Sequence, residues 1–216
     1  MKNVEILYED EYIIVINKPA GLAVQGGKGV KTSLDRLLAE HFGGENGAKH
    51  PLLVHRLDKD TSGVLLAAKG SEEAARFSRI INDRKAVKQY IAVCAGCPEK
   101  SAGVITDELV IRGVSKKSET KYRVTKKSKL ASCNLEYSII ELELGTGRMH
   151  QIRRHLAMKG NPVLGDDKYG DFSLNKKLRK EAGLKRLLLH AYRLVIKNDF
   201  PLDIASKLPD YFNAYL

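Results

Sequence analysis

Apolar residues along the chain fall mostly in short runs of strand length, separated by polar turns. Tyr12-Ile13-Ile14-Val15-Ile16-Asn17 and Val64-Leu65-Leu66-Ala67-Ala68 are near-continuous apolar runs, the pattern of strands covered on both faces. Glu5-Ile6-Leu7-Tyr8 forms a hairpin with the first of these around Glu9-Asp10-Glu11. Lys18-Pro19-Ala20-Gly21-Leu22 ends that hairpin, because proline cannot continue a central strand. Further strands are expected at Leu52-Leu53-Val54, Lys88 to Cys94, Tyr137 to Leu144, Leu187 to Ala191 and Leu194 to Ile196, with a strand and turn at Val163 to Gly170. Thr120, Tyr122 and Val124 alternate with Lys121 and Arg123 and read as one more strand.

Helical periodicity is confined to short stretches. Thr32-Ser33-Leu34-Asp35 resembles a capping box that opens a helix through Leu37, Leu38 and Phe42, stopped by Gly43-Gly44. Glu45 to His50 then reads as a polar loop. Ser71-Glu72-Glu73 starts a second helix, whose stripe is Ala74, Ala75, Phe77, Ile80 and Ile81. A turn at Gly145 to Met149 leads into a short helix that Gly160 caps. Leu174 to Gly183 reads as a basic helix, and Leu208 to Phe212 as a turn with a short closing helix. Strands dominate and βαβ alternation is absent. The expected fold is therefore α+β, a mixed and largely antiparallel sheet with flanking helices, in a single domain over residues 1–216.

Composition narrows the function. A net charge of +11 points to a polyanionic partner, nucleic acid ahead of an acidic membrane surface. The absence of tryptophan weighs against a base-stacking platform as the main binding mode. Arg112 to Lys129 is strongly basic, which suits either phosphate contacts or an edge strand guarded by lysines. Three cysteines do not make a disulfide framework, so a reducing cytoplasm is expected. No signal-like N-terminus and no apolar run of ~20 residues stands in the chain, so no membrane role is expected.

Cofactor signatures fail one by one. Gln25-Gly26-Gly27-Lys28-Gly29 lacks the spacing of a phosphate loop. Cys94 and Cys97 have no second pair to complete a zinc site, and His150 and His155 do not share a helix face. No metal and no cofactor are expected.

The stretch that bears on chemistry is His55-Arg56-Leu57-Asp58-Lys59-Asp60-Thr61-Ser62-Gly63, a polar island between two apolar runs. Charge crowded against core sequence needs partners, and loops of this kind on a rigid scaffold are where function usually sits. A solvated turn built on Thr61-Ser62-Gly63 is the competing reading.

The string His55-Arg56-Leu57-Asp58 followed by Thr61-Ser62-Gly63 resembles the signature of the RluA-type family of RNA pseudouridine synthases. Asn17-Lys18-Pro19-Ala20-Gly21, Lys88-Gln89-Tyr90, Thr146-Gly147-Arg148-Met149-His150-Gln151-Ile152-Arg153, Leu164-Gly165-Asp166 and Leu187-Leu188-Leu189-His190-Ala191 run in the family's order over nearly the whole chain. Met149 is a small departure, since Thr or Ser is common there.

The resemblance implies an RNA isomerase that needs no cofactor. Asp58 falls on the catalytic nucleophile, Arg153 on the cation paired with it, and Tyr90 on the residue lying over a flipped uracil. Arg56 is implied to fill the gap left by the extruded base or to hold a phosphate. With Arg56 and His55, the residues Arg148, His150 and Gln151 are implied to line the RNA side. The flavour is that of the bacterial large-subunit ribosomal RNA enzymes, with tRNA as a second substrate class and a monomer as the expected state. Two readings of other classes stand beside it. One is a non-catalytic RNA-binding module of the same fold. The other is a glycoside or nucleoside hydrolase using Asp58 and Asp60, which would release free uracil.

Overall fold

The computed structural model describes residues 4–43, 50–197 and 200–216. The polar loop expected from Glu45 lies outside the described residues, His50 apart. In chain order the elements are β1 (Glu5–Glu9), β2 (Ile13–Lys18), α1 (Leu34–Phe42), β3 (Leu52–Leu53), β4 (Ser62–Ala68), α2 (Ser71–Asn82), β5 (Ala86–Ala95) and β6 (Ala102–Ile105). They continue with β7 (Leu109–Ile111), β8 (Val114–Lys116), β9 (Thr120–Leu130), β10 (Leu135–Leu144), α3 (Gln151–Met158), α4 (Phe172–Glu181), β11 (Leu189–Ile196) and β12 (Leu202–Ala205), and a closing 3₁₀ helix spans Asp210–Tyr215. The elements form two compact units, Met1–Val87 with Ala191–Lys207, and Lys88–His190 with Leu208–Leu216.

In the first unit the strand order is β1-β2-β4-β11, with β3 paired to β4 and β12 to β11. Strands β2 and β4 pair antiparallel from Ile13 opposite Ala68 to Lys18 opposite Gly63. One face of these strands presents Ile13, Val15, Val64, Leu66, Ala68, Leu194 and Ile196, and Phe77, Ile80 and Ile81 of α2 pack on it. The alternate residues Ile14, Ile16, Leu65 and Ala67 are buried as well. Burial of both faces is why these strands read as unbroken apolar runs.

The second unit carries β5, β10, β9 and β6 in that order. These neighbours pair antiparallel: Tyr90 lies opposite Leu142, Leu142 opposite Tyr122, and Leu144 opposite Thr120. Strands β7 and β8 form a separate small ribbon. Arg112 and Gly113 at its tip have φ of 51° and 79°, the doubly positive turn that suits a two-residue hairpin. The largely antiparallel α+β architecture matches the expectation.

Four local expectations are corrected. The capping box at Thr32 does not form. Ser33 is the residue before α1, and its hydroxyl bonds to the Asp35 carboxylate, which also accepts the Gly26 and Arg36 amides. Val163 to Gly170 makes only a single bridge, Val163 with Cys94, before turning. Leu187 and Leu188 precede β11, which runs unbroken from Leu189 through Ile196. Helix α4 begins two residues earlier than read, because the Asp171 carboxylate accepts the Leu174 amide at 2.9 Å and caps it.

Candidate active site

In the first unit the polar island becomes a short turn between β3 and β4. The Leu66 amide donates to His55 Nε2 at 3.0 Å, which requires a neutral ring with its proton on Nδ1. Leu57 is buried and anchors the turn, whereas Arg56 is exposed and Asp58 half-buried. The Thr61 amide donates to the Asp58 carbonyl at 3.2 Å and closes the turn.

What fastens this turn is Lys18. Its side chain is fully buried at the end of β2. The ammonium donates to the carbonyls of Pro19 at 3.0 Å, Leu22 at 2.9 Å and Lys59 at 2.9 Å. The Lys59 carbonyl also accepts the Gly21 amide at 2.9 Å. The Lys59–Asp60 peptide, one residue beyond Asp58, is therefore held from the Lys18–Leu22 segment by two donors. Burial pushes the Lys18 pKa down to about 8, against the pull of the Asp60 and Asp58 carboxylates.

In the second unit, Tyr90 of β5 is buried, and the register puts it on the same sheet face as Leu142, Tyr122 and Thr120. Helix α3 is tied to that face. Gln151 donates to Thr120 Oγ1 at 2.9 Å, and His155 Nδ1 lies 3.0 Å from the same hydroxyl. Gln151 also donates to the Glu119 carbonyl at 2.8 Å and accepts from Thr146 Oγ1 at 2.6 Å and the Arg148 amide at 3.0 Å. All four of its hydrogen-bonding positions are used, two on the Thr146–Arg148 turn and two on the start of β9, so the side chain ties that turn to the strand.

Arg153 follows on α3 and is buried. It forms a two-point pair with Asp166, Nε to Oδ2 at 2.7 Å and Nη2 to Oδ1 at 2.8 Å. Asp166 also accepts the amides of Lys168 at 2.9 Å and Tyr169 at 3.0 Å. Burial alone would raise the Asp166 pKa, but Arg153 and these two amides hold it below the usual carboxylate value. The Tyr169 ring centroid lies 5.3 Å from the Arg153 guanidinium carbon, and its hydroxyl is 3.0 Å from His150 Nδ1. His150 itself takes a left-handed φ of 51° immediately before α3, a conformation held by its surroundings.

The residues singled out in the sequence thus fall in two groups. His55, Arg56 and Asp58 share one turn of the first unit. Tyr90, Arg148, His150, Gln151 and Arg153 belong to the second, the last four on one turn and helix. Sequence reasoning quoted the segments holding Lys18 and Asp166 without singling out either residue. The signal available was a charged residue inside a matched motif, flanked by apolar sequence.

The basic stretch from Arg112 to Lys129, read either as a phosphate-binding face or as an edge strand guarded by lysines, is paired with acid at two positions. Lys121 pairs with Glu143 at 3.1 Å and Arg123 with Glu141 at 2.5 Å across β9 and β10. Among the described residues no helix is long and apolar enough to cross a membrane.

Comparison with known proteins adds the family. A family model described as RNA pseudouridylate synthase matches residues 12–158. The chain belongs to the RNA pseudouridylate synthase family. It is 36% identical over 220 residues to the ribosomal large subunit pseudouridine synthase C of Rickettsia prowazekii (strain Madrid E), covering 96% of this chain and 69% of that protein. It is 34% identical over 216 residues to the tRNA pseudouridine synthase C of Vibrio parahaemolyticus serotype O3:K6, covering 91% of this chain and 85% of that one. Among solved structures, human RNA pseudouridylate synthase domain containing 4 matches with a TM-score of 0.80 at 29% identity, over 97% of this chain and 90% of that one. This pseudouridylate synthase is therefore an RNA uridine isomerase, with the α+β sheet of its structural neighbours.

Proposed function

We propose that the chain converts specific uridines of large-subunit ribosomal RNA to pseudouridine, with tRNA as the second substrate to test. The names of the relatives above support both RNAs, in that order of identity. The reaction breaks the N1–C1′ bond, turns the base and forms a C5–C1′ bond; the C5 proton is lost to solvent and the freed N1 takes one up. No oxidation or reduction occurs. Asp58 is the nucleophile, acting on a uridine that has been turned out of its helix.

The observation that carries this reading is the fastening of the Asp58 turn by a buried lysine. A carboxylate held half-buried on a turn whose Lys59 carbonyl is fixed by the Lys18 ammonium and the Gly21 amide is pre-organised for one geometry of attack. Arg153, itself fixed by Asp166, stabilises negative charge in the reacting complex, and Tyr90 packs on the uracil. Arg56, exposed beside Asp58, fills the vacated stack or meets a phosphate. Arg148 and His150 face RNA, while Gln151 acts through the turn it orders.

Tritium release from RNA labelled at uridine C5 tests the proposal. Wild-type protein is expected to release tritium from ribosomal RNA, and Asp58→Asn to release none while binding RNA within a few-fold of wild type. Turnover by Asp58→Asn would overturn the assignment of the nucleophile. Tight binding without release by wild type, from ribosomal RNA and tRNA alike, would make the chain a binding module.

A further inference from the structure

Lys88 lies two residues before Tyr90 on β5, so the two side chains share a face of the strand. Its ammonium stands over the Thr146-Gly147-Arg148 turn: a Cβ placed on Gly147 would sit 3.8 Å from Lys88 Nζ. Lys88 is partly buried, and burial pushes its pKa down with no carboxylate opposing the shift. The contrast with the other desolvated cations is sharp. Lys18 donates to three carbonyls and Arg153 grips Asp166 at two points. Among the described residues Lys88 has no hydrogen-bond acceptor and no ion pair.

An ammonium withdrawn from water without a partner costs free energy. A fold that keeps one beside a functional turn keeps it for an anion that arrives from outside. Gly147 puts no side chain between the turn and the Lys88 ammonium, and the neighbouring Arg148 is an exposed second cation. The anion that this chain's substrate carries at every nucleotide is the phosphodiester.

We infer that Lys88 receives one phosphodiester group of the bound RNA, close to the nucleotide that Tyr90 packs against. The inference rests on the proposed reading of the site, and it adds a specific charge contact to it. A phosphate contact is made equally in the bound complex and in the transition state, so it acts on binding rather than on the chemical step. A contact to charge developing on the uracil would act on kcat instead.

The test compares wild type, Lys88→Met and Lys88→Arg on a defined ribosomal RNA fragment. Dissociation constants are taken in an Asp58→Asn background over a salt series, and turnover is taken in the Asp58 form. Lys88→Met is expected to weaken binding about tenfold and to reduce the slope of log K against log salt by ~0.7–0.9, the share of one phosphate. KM rises, kcat at saturating RNA changes little, and Lys88→Arg restores both readouts. Because the lost charge was uncompensated, Lys88→Met also raises the thermal midpoint, so a folding defect does not mimic the result. An unchanged affinity and slope, or a fall in kcat at constant KM, would overturn the inference. If wild type releases no tritium, the isomerase reading fails, while the affinities and slopes in the Asp58→Asn background still decide whether Lys88 holds a phosphate.

Discussion

Arg153 and Asp166 close a buried two-point ion pair across the loop that leaves α3, at 2.7 and 2.8 Å. Asp166 is 1% exposed, and its carboxylate also gathers the Lys168 and Tyr169 amides. The pair therefore fixes the arginine's orientation and folds the 163–170 turn with one carboxylate. Removing one member leaves a buried charge without its partner, which costs ~3–5 kcal/mol. Asp166→Asn is expected to lose stability of this order and to lower kcat more than it changes KM. Asp166 has its pKa held below the ordinary 3.8, so its stabilising contribution is complete above that value and is lost as pH falls through it and below. Urea midpoints should thus differ between wild type and Asp166→Asn at pH 7, by an amount that shrinks as pH falls below 3.8. A gap that does not shrink on acidification would assign the loss to shape rather than charge.

Lys18 supplies a second prediction. Lys18→Met strips a donor from the Pro19, Leu22 and Lys59 carbonyls, of which the last keeps the Gly21 amide; at ~1–3 kcal/mol for each half-buried group left unsatisfied, a loss above ~2 kcal/mol is expected. The lysine also titrates in an accessible range. Near pH 8 it sheds its proton, and a neutral amine donates two hydrogen bonds where the ammonium donated three. The Asp58 turn then loosens, and kcat is expected to fall on the alkaline side of pH 8. Stability moves the other way. Between pH 8 and the ordinary value of 10.5 the unfolded chain binds the extra proton, so this group's contribution to unfolding free energy rises with pH. Tritium release and urea midpoints measured in the same buffers separate the two, and activity that falls only where the midpoint falls would refute the clamp.

The elements most legible in sequence are those whose side chains answer to one constraint. β2 and β4 are buried on both faces, and their apolar runs say so directly. The turn bearing Asp58 was visible as charge between core strands. The rest depends on contacts between distant segments. Lys18 at the end of a strand reads as a solvent-facing lysine until the fold brings the Lys59 carbonyl to it. The basic run of β9 is plain in the sequence, but the acids that pair with Lys121 and Arg123 stand on β10, at Glu143 and Glu141. Val163 to Gly170 looked like a strand and turn because its apolar start is short, and the carboxylate that gathers its amides lies within the turn itself. β12 was missed altogether: its four residues, Leu202-Asp203-Ile204-Ala205, are too few for periodicity to register.

His155 carries a third prediction, on acid stability. Its side chain is fully buried, with Nδ1 3.0 Å from Thr120 Oγ1 and Nε2 2.7 Å from Ser118 Oγ. Burial is the main cause of its lowered pKa, so as pH falls through about 6.5 the unfolded chain takes up a proton ahead of the folded ring. Its contribution is complete above that pH and falls away as pH drops through it, by up to ~1.4 kcal/mol per pH unit. His155→Gln cannot titrate. The variant is expected to be less stable than wild type at pH 7.5, with a gap that narrows as pH falls below 6.5, as read from urea midpoints. A constant gap would mean that the fold does not lower the His155 pKa.

The last prediction concerns the close approach of β4 and β11 in the first unit. Gly63 has φ of 115°, and a Cβ there would lie 2.1 Å from the Ala191 carbonyl oxygen and 2.8 Å from the Ala191 nitrogen. Backbone does not yield as a side-chain tip does, so Gly63→Ala adds a collision to the cost of the dihedral, ~1–3 kcal/mol for each. Gly113 is the natural control. Its φ of 79° is also unfavourable for alanine, but nothing lies within 4 Å of its Cβ position. Gly113→Ala should lose only the dihedral part, and Gly63→Ala about 3 kcal/mol or more, by urea denaturation. Ser62 and Gly63 begin the strand that leaves the Asp58 turn, so the collision should also reduce turnover, whereas Gly113→Ala leaves that turn untouched. Equal losses at the two glycines would show that β4 can move off β11 at little cost, and that the turn is held from the Lys18 side alone.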